Sequence, residues 1–251
     1  MYYLDHIVHF VEKPEQMVEK TNEIGLHTVV GGKHSMWGTY NSLCYFGLSY
    51  IEFIGIYNEE LFHKSAKEPY TLHQTYAKRN RKNGFNRIAL RTNTIDHDAE
   101  RLKKIGFTVY GPDSFSRTRP DGSVITWKLL HFGQHEQDMD YPFLIQWEGD
   151  DISRYEELEQ LGTIKQHPLG NLKIIEISIE VKNIVIAETW ARVFQYDIKK
   201  NENTATIFSP NCHFKFIQNE DAQNEITEVV IAGSTNDQEV ILENAKYRFT
   251  T

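Results

Sequence analysis

Cysteine is nearly absent from this 251-residue sequence, which contains only Cys44 and Cys212. Two thiols so far apart form neither a disulfide framework nor the ligand set of a zinc-stabilised fold. The small secreted domains that depend on disulfides are therefore excluded, and a reducing compartment is expected.

Long apolar runs and clusters of positive charge are also missing. No apolar run approaches the roughly 20 residues of a membrane-spanning helix, and residues 1–10 lack the basic and apolar regions of a signal peptide. The formal net charge is −8, and the one basic run lies within residues 78–82. Partners such as nucleic acid or a membrane are therefore not expected, and the sequence predicts a cytoplasmic protein.

The sequence does contain an internal repeat of one strand, one helix and three strands. The predicted elements of the first copy are a strand over 4–10, a helix over 14–25 and strands near 28–30, 39–46 and 50–57. In the second copy Gly106 ends the helix as Gly25 ends the first, and the same offset places Arg87 at the position of His6.

The repeat predicts how the chain is divided. Residues 1–60 and 84–149 are paired βαβββ modules that form the main cup within residues 1–150. Residues 151–251 contain a third module and a partial fourth that lacks its last strands. A helix near 153–161 is expected to bridge the two parts.

Several motifs resemble one known superfamily. The motifs are Leu4-Asp5-His6-Ile7, Gly31-Gly32-Lys33-His34, Gly38-Thr39-Tyr40-Asn41, Tyr50-Ile51-Glu52-Phe53-Ile54-Gly55, the run from Arg117 to Gly122 followed by Trp127, and Pro142-Phe143-Leu144-Ile145-Gln146-Trp147. Together they resemble the glyoxalase-like group of the vicinal oxygen chelate superfamily. The resemblance implies an α+β fold in which repeated βαβββ modules form mixed curved sheets and a cupped half-barrel, of the glyoxalase/bleomycin-resistance/dihydroxybiphenyl dioxygenase type.

The resemblance assigns His6 and Glu52 to the positions that hold metal ligands or catalytic groups in this superfamily. An imidazole and a carboxylate that converge on one point suit a divalent ion such as zinc, manganese, nickel or iron, which would polarise a substrate carbonyl. Without a metal, the same pair forms a polar cluster that transfers protons. Both readings stay open.

The second module offers no matching ligands, because its equivalent positions hold Arg87 and Gln146. Arginine has no lone pair for a metal, so a third ligand would have to be His131 or His34. Arg87 is instead expected either to bind an anionic substrate or to form a salt bridge with Glu52.

Further substrate contacts are expected around the mouth of the cup. Asn41 and His34 flank the Gly31-Gly32 turn, and Gln146 is placed opposite Glu52. The segment Gly111–Gly122 is predicted to be a loop over the site, in which Arg117, Arg119 and Asp121, with Trp127, either close over a ligand or remain solvated. The aromatic residues expected to line the cup are Trp37, Tyr40, Trp127 and Trp147.

Two functions follow from these residues and from the resemblance. The first is a glyoxalase-like lyase, isomerase or dioxygenase that acts on a small anionic or aromatic substrate. The second is a non-catalytic protein that binds or sequesters a small molecule, as antibiotic-resistance members of the superfamily do. Exposed strand edges in an incomplete second pair of modules predict a homodimer.

Overall fold

A computed structural model describes residues 1–119, 122–135 and 137–251 of the chain. The helices in these ranges are α1 (Pro14–Glu23), α2 (Glu59–Ser65), α3 (Leu72–Lys78), α4 (Ile95–Lys104), α5 (Asp151–Gln160) and α6 (Val185–Phe194). The strands are β1 (Tyr3–Phe10), β2 (Thr28–His34), β3 (Thr39–Phe46), β4 (Ser49–Ile56), β5 (Gly84–Arg91), β6 (Thr108–Thr118), β7 (Val124–Gly133), β8 (Phe143–Trp147), β9 (Gly170–Val181), β10 (Asp197–Lys200), β11 (Thr204–Phe208), β12 (His213–Gln218), β13 (Glu225–Ser234), β14 (Gln238–Leu242) and β15 (Ala245–Thr250).

Short-range signals in the sequence set the ends of the module helices. Pro14 occupies the first turn of α1, where its missing N–H has no intrahelical partner to lose. Gly25 and Gly106 follow α1 and α4 with φ angles of 84° and 92°, a left-handed conformation that glycine adopts without steric cost. The two glycines therefore end equivalent helices, as the repeat predicts.

The first two modules form one eight-stranded sheet in the order β2-β3-β4-β1-β5-β8-β7-β6. Within each module the first strand pairs in parallel with the last, β1 with β4 and β5 with β8. The antiparallel pairing of β1 with β5 joins the modules at the centre of the sheet. The predicted α+β fold of repeated βαβββ modules, with a curled half-barrel sheet, is confirmed.

A second sheet has the order β10-β11-β12-β9-β13-β15-β14. Strands β9 to β12 with α6 repeat the module pattern, since β9 pairs in parallel with β12. In the fourth copy, β13 pairs in parallel with β15, which pairs with β14, so the first, third and fourth strands are present. The prediction that this copy lacks its last strands was wrong. It lacks the helix and second strand, because only residues 235–237 separate β13 from β14.

The two sheets pack together through the faces that carry the module helices. One continuous cluster of buried side chains includes Met17 of α1, Leu102 of α4 and Trp190 of α6, together with residues of both sheets. Tyr141, before β8, lies with its ring centroid 6.5 Å from that of Trp190. The helix-bearing faces are therefore in the interior, and each sheet turns its other face outward.

The outward faces of the two sheets differ. Strands β1 and β5 at the centre of the first sheet are buried along almost their whole length, on both faces. Strand β15 of the second sheet instead alternates between buried and half-exposed residues, the pattern of a strand with one solvated face. The outward face of the first sheet is therefore the more deeply covered of the two.

The remaining helices connect the modules. Helices α2 and α3 lie between β4 and β5, and α5 follows β8 close to the span predicted for the bridging helix. None of the helices in the described ranges is long and apolar enough to cross a membrane. The homodimer, the division into two domains and the cytoplasmic location stay predictions.

Candidate active site

The concave face of the first sheet encloses a cavity of about 610 Å³. Strands β1 and β4 form its floor, the β6–β7 hairpin forms one wall, and side chains of α3 and α5 complete the lining. Most of the wall is aromatic or aliphatic; the aromatic residues include Trp37, Tyr45, Tyr50, Trp127, Phe143 and Trp147. Polar side chains cluster on the floor, and further charged residues line the side formed by the β6–β7 hairpin and α5.

His6 belongs to this cluster, and Asp5 beside it determines the orientation of its ring. The pairing of β1 with β5 shifts between Leu4 and His6, so Asp5 occupies a β-bulge, a feature that redirects side chains. His6 Nδ1 lies 2.8 Å from Asp5 Oδ1. Burial opposes ionisation of Asp5, but the hydrogen bond with His6 and the charges of Arg154 and Arg91 hold its pKa well below the usual range. An ionised carboxylate only accepts hydrogen bonds, so Nδ1 carries the proton and Nε2 is the basic atom.

Glu52 on β4 faces His6 across the floor. Its Oε2 lies 3.6 Å from His6 Nε2, and its Oε1 accepts a 2.7 Å hydrogen bond from Asn41 Nδ2. The Asn41 amide is oriented in turn by the Gly32 N–H, which donates to its Oδ1 at 2.8 Å. A Cβ atom on Gly31 would lie 2.0 Å from that oxygen, so this strand approaches Asn41 only because it lacks a side chain there.

His34 completes the cluster from the end of β2. Its Nε2 lies 3.9 Å from Glu52 Oε1, and its Nδ1 is 3.0 Å from Thr39 Oγ1. Burial lowers the pKa of His34 more than the charge of Glu52 raises it, so the ring is neutral near pH 7. We call Asp5, His6, His34, Asn41 and Glu52 the floor cluster.

The floor cluster does not fit a resident metal ion. Within the described ranges, no three His, Cys, Asp or Glu side chains are arranged to hold one. Glu52 Oε1 already accepts a hydrogen bond, and His34 Nε2 lies 3.4 Å from the amide nitrogen of Asn41, so both face a donor group. His131, the other proposed third ligand, lies behind Phe143, with 5.3 Å between ring centroids, and is not part of the cavity lining.

Arg87 does not reach the cavity either, which corrects the prediction that it binds substrate. Its Nη1 donates to the Tyr70 carbonyl at 2.9 Å and to Thr75 Oγ1 at 3.1 Å, and its Nη2 donates to the Tyr141 carbonyl. The acidic partner is Asp140 at 3.7 Å, not Glu52. These carbonyls belong to the backbone before α3 and before β8. The hydrogen bonds of Arg87 therefore hold these two segments together and leave its guanidinium unavailable to a substrate.

Gln146 lies on the opposite face of the sheet from the cavity, which is a second correction. With the offset of the repeat, the pair Val8–Glu52 in β1 and β4 corresponds to Ala89–Phe143 in β5 and β8. Phe143, not Gln146, therefore occupies the place of Glu52. The sequence alignment was displaced by an odd number of residues, and such a shift reverses the face of a strand.

Gln146 instead caps a helix. Its Oε1 accepts a 2.9 Å hydrogen bond from the backbone N–H of Ile95, the first residue of α4, where Thr94 contributes no side-chain cap. We expect Gln146→Ala to lower the free energy of unfolding by about 1 kcal/mol, the usual loss for a helix cap, and to leave ligand binding unchanged. Urea unfolding measures this loss. Gln16→Ala, on the exposed face of α1, is the control and should change stability by less than about 0.5 kcal/mol; equal effects of the two would contradict the capping role.

The segment predicted as a loop over the site is mostly strand. Strands β6 and β7 pair from Thr108–Gly133 to Thr118–Val124, and Gly111 and Pro112 lie inside a register shift of this hairpin. In a sequence, a glycine followed by a proline usually indicates the end of a strand. Here a β-bulge accommodates both residues, and the strand continues. Asp121 lies outside the described residues.

The hairpin brings Arg117 and Trp127 to the cavity, as predicted. The guanidinium of Arg117 reaches across to β2, where a Cβ atom on Gly32 would lie 2.5 Å from its Nη1. Trp37, Trp127 and Trp147 all line the cavity. Tyr40 does not, because its hydroxyl donates to Glu15 of α1 at 2.7 Å on the outer side.

Three residues that the sequence did not single out belong to the site. Asp5 orients His6, and the only sign of this role in the sequence is that the two residues are neighbours in the first motif. His73 of α3 and Arg154 of α5 line the cavity from helices outside the modules. No repeat or motif indicates His73 or Arg154, because α3 and α5 lie between the modules and have no counterpart in the repeat.

Comparisons with known proteins agree with this architecture. A family model described as a glyoxalase-like domain matches residues 4–194. No curated protein matches the chain at a significant level.

Solved structures extend the likeness beyond the matched region. A hypothetical protein from Staphylococcus aureus is 23% identical, with a TM-score of 0.89 over 100% of both chains. A mutant 4-hydroxymandelate synthase from Streptomyces coelicolor is 8% identical, with a TM-score of 0.55 over 91% of this chain and 70% of the other. A xylose isomerase-like TIM barrel/4-hydroxyphenylpyruvate dioxygenase fusion protein is 11% identical, with a TM-score of 0.53 over 92% and 36%. These matches confirm the predicted vicinal oxygen chelate fold, and at such identities they concern the fold alone.

Proposed function

This chain belongs to the glyoxalase-like domain family, and from that premise we propose that it is an enzyme that transfers protons on a small organic substrate held in the cup. The reaction type is that of an isomerase or lyase, in which a proton next to a carbonyl group is removed. The observation that carries the proposal is the arrangement of His6 between Asp5 and Glu52 at the floor of the cavity.

The floor cluster has the groups that such a reaction requires. His6 Nε2 takes the proton from the substrate carbon, the carbon–hydrogen bond breaks, and its electron pair is delocalised into the carbonyl as an enolate. Asp5 stays ionised and stabilises the imidazolium that forms. Glu52, 3.6 Å from His6 Nε2, relays the proton, which returns to carbon in an isomerisation or goes to a leaving group in a lyase reaction.

The surroundings favour this chemistry. The side chains of His6 and Glu52 are only 5% and 9% exposed, and this burial strengthens the interaction between an imidazolium and its two neighbouring carboxylates. Asn41 holds Glu52, and Asp5 holds His6, so both reacting groups are oriented before substrate binds.

The competing function is a protein that binds a small molecule and performs no chemistry. The same aromatic walls would hold a planar ligand between Trp37, Trp127 and Trp147. The two functions differ in what the floor cluster does. A sequestering protein needs no basic nitrogen facing a carboxylate, so substitution of His6 separates them.

The test is exchange of carbon-bound hydrogen for deuterium in D₂O, followed by NMR over a panel of 2-oxo acids, 2-hydroxy ketones and 2-hydroxy aldehydes. We expect the wild-type protein to catalyse exchange in at least one compound, and His6→Gln and Glu52→Gln each to slow it by about 100- to 10,000-fold. A chelator is expected to leave the rate unchanged.

His63→Gln is the matched control, since His63 lies on α2 with a side chain 66% exposed, and it should keep the wild-type rate. Exchange that survives His6→Gln would refute the assignment of the base. Tight binding of panel compounds without exchange in any of them would favour the sequestering function.

A further inference from the structure

Arg154 is a buried cation in the cavity wall that the floor chemistry does not use. It lies in α5, the helix that joins the two halves of the chain, and its side chain is only 9% exposed. Its Nη1 has no hydrogen-bond partner among the described residues. A buried guanidinium normally satisfies its donors, because an unpaired one carries a large desolvation cost.

The nearby acid does not satisfy Arg154. Asp5 Oδ2 lies 3.7 Å from Arg154 Nη1, beyond hydrogen-bond distance. The same oxygen already faces the Trp147 indole N–H at 3.0 Å and Arg91 Nη1 at 3.3 Å, while Oδ1 pairs with His6. Asp5 therefore has three hydrogen-bond donors already, and Arg154 lies farther away than any of them.

Arg154 is nevertheless held in one place. Its guanidinium lies over the ring of Trp147, 4.2 Å from the centroid, which fixes the plane of the fork. A planar fork immobilised against an aromatic face is the arrangement that binds carboxylates through two parallel hydrogen bonds.

A second cation approaches the same part of the cavity. Burial raises the pKa of the Tyr45 hydroxyl, as does the charge of Asp5, while the charges of Arg154 and Arg117 and the interaction of Arg154 with the hydroxyl oppose that rise. Both arginines line the cavity, from α5 and from β6. Arg117 reaches this region from the hairpin, and its Nη1 would lie 2.5 Å from a Cβ atom on Gly32 of β2.

We propose that Arg154, with Arg117, binds the anionic group of the substrate, so that the cavity selects organic acids with a planar body over their neutral analogues. The anionic group is a carboxylate or a phosphate held near Tyr45, and the planar part packs against Trp127, which lies beside Trp147 with 5.8 Å between ring centroids. This inference deepens the proposed function, because it names the substrate class of the same cavity.

The experiment is isothermal titration calorimetry with three probes that share one ring: phenylacetate, phenylacetamide and phenyl phosphate. The wild-type protein should bind one of the two anions at least 10-fold more tightly than the amide. Arg154→Met should weaken binding of that anion by about 10- to 100-fold, the contribution of charge-assisted hydrogen bonds, and change amide binding by less than 2-fold. Arg154→Lys, which keeps the charge without the fork, should give an intermediate affinity.

Arg101→Met is the matched control, since Arg101 donates to the Tyr2 hydroxyl on the helix face of the sheet, and it should bind like the wild type. A thermal melt of each variant verifies folding. Preference for carboxylate over phosphate, or the reverse, identifies the anion.

Equal affinity of the wild type for anion and amide would overturn the proposal. So would binding of none of the probes, or unchanged anion binding in Arg154→Met. Anion-selective binding without deuterium exchange would support anion binding by Arg154 and contradict the proposed proton transfer. The two proposals can therefore fail independently.

Discussion

Arg87→Met is expected to lower the free energy of unfolding by about 3–5 kcal/mol, the usual loss when one partner of a buried charged network is removed. Arg87 is 3% exposed and donates to the carbonyls of Tyr70 and Tyr141. Methionine fills a similar volume but donates nothing, so both carbonyls would lose a donor in the interior, and the carboxylate of Asp140 would lose the cation 3.7 Å away.

Urea unfolding at pH 7 measures this loss. The matched control is Arg81→Met, because Arg81 pairs with Glu59 on the surface, with side chains 40% and 59% exposed. An exposed pair contributes at most about 1 kcal/mol, so the control should differ little from the wild type. A loss below about 1 kcal/mol in Arg87→Met, accompanied by weaker ligand binding, would instead restore the substrate-binding role.

Acidification from pH 7 to pH 5 is expected to destabilise the protein through its buried histidines, among them His9, His73 and His131. Burial lowers the pKa of His9 to about 4, and burial with the charges of His131 and His34 lowers that of His73 to about 3. Nε2 of each has no hydrogen-bond partner among the described residues, so a proton added there would be a buried, unpaired charge.

The direction follows from proton linkage. A histidine in the unfolded chain takes up its proton as the pH falls through about 6.5, whereas His9 and His73 stay neutral in the folded protein until about pH 3–4. The stability is thus fully present above pH 6.5 and declines below it. At pH 5 the loss is roughly 1–2 kcal/mol for each histidine.

The free energy of unfolding measured in urea at pH 7 and pH 5 tests this. His73→Leu removes one of these groups and should reduce the decline between the two pH values by roughly 1–2 kcal/mol. His97→Leu, at an exposed position on α4, should leave the decline unchanged. The same pH dependence in wild type and His73→Leu would show that His73 is protonated in the folded protein.

The modules could be predicted from the sequence because their signals are local. Pro14, Gly25 and Gly106 fix helix ends through the conformations that their own backbones allow, and the terminal glycine recurs in the first two modules. The fourth copy was harder to predict. The only sign of its missing helix in the sequence is the short segment between β13 and β14. Its strands can be recognised as a module only from the pairing of β15 with β13 and β14.

The site was predictable where one strand and its turn determine the side-chain direction. His6 and Glu52 lie on the predicted strands, and Asn41 and His34 surround a glycine pair that β2 needs for its approach to Asn41. Arg117 and Trp127 reached the cavity even though their segment is a hairpin and not a loop.

Gln146 and Arg87 show where such reasoning stops. A one-residue uncertainty in aligning two strands reverses which face a side chain occupies, and nothing in the residue types of β8 removes that uncertainty. Arg87 was assigned to the correct strand, but its partners are backbone carbonyls near α3 and β8. A pattern of side chains in the sequence does not show where backbone acceptors will lie.

By itself, the sequence determined the repeated βαβββ modules, the family resemblance and the central pair His6–Glu52, because these depend on periodicity, turn chemistry and motifs within short segments. Only the tertiary structure decided which charged groups face the cavity. Arg87 binds backbone carbonyls outside the cavity, whereas Arg154 of the connecting helix α5 lines it. The position of a side chain relative to the cavity depends on β-bulges, strand register and the packing of distant segments, which the sequence alone does not give.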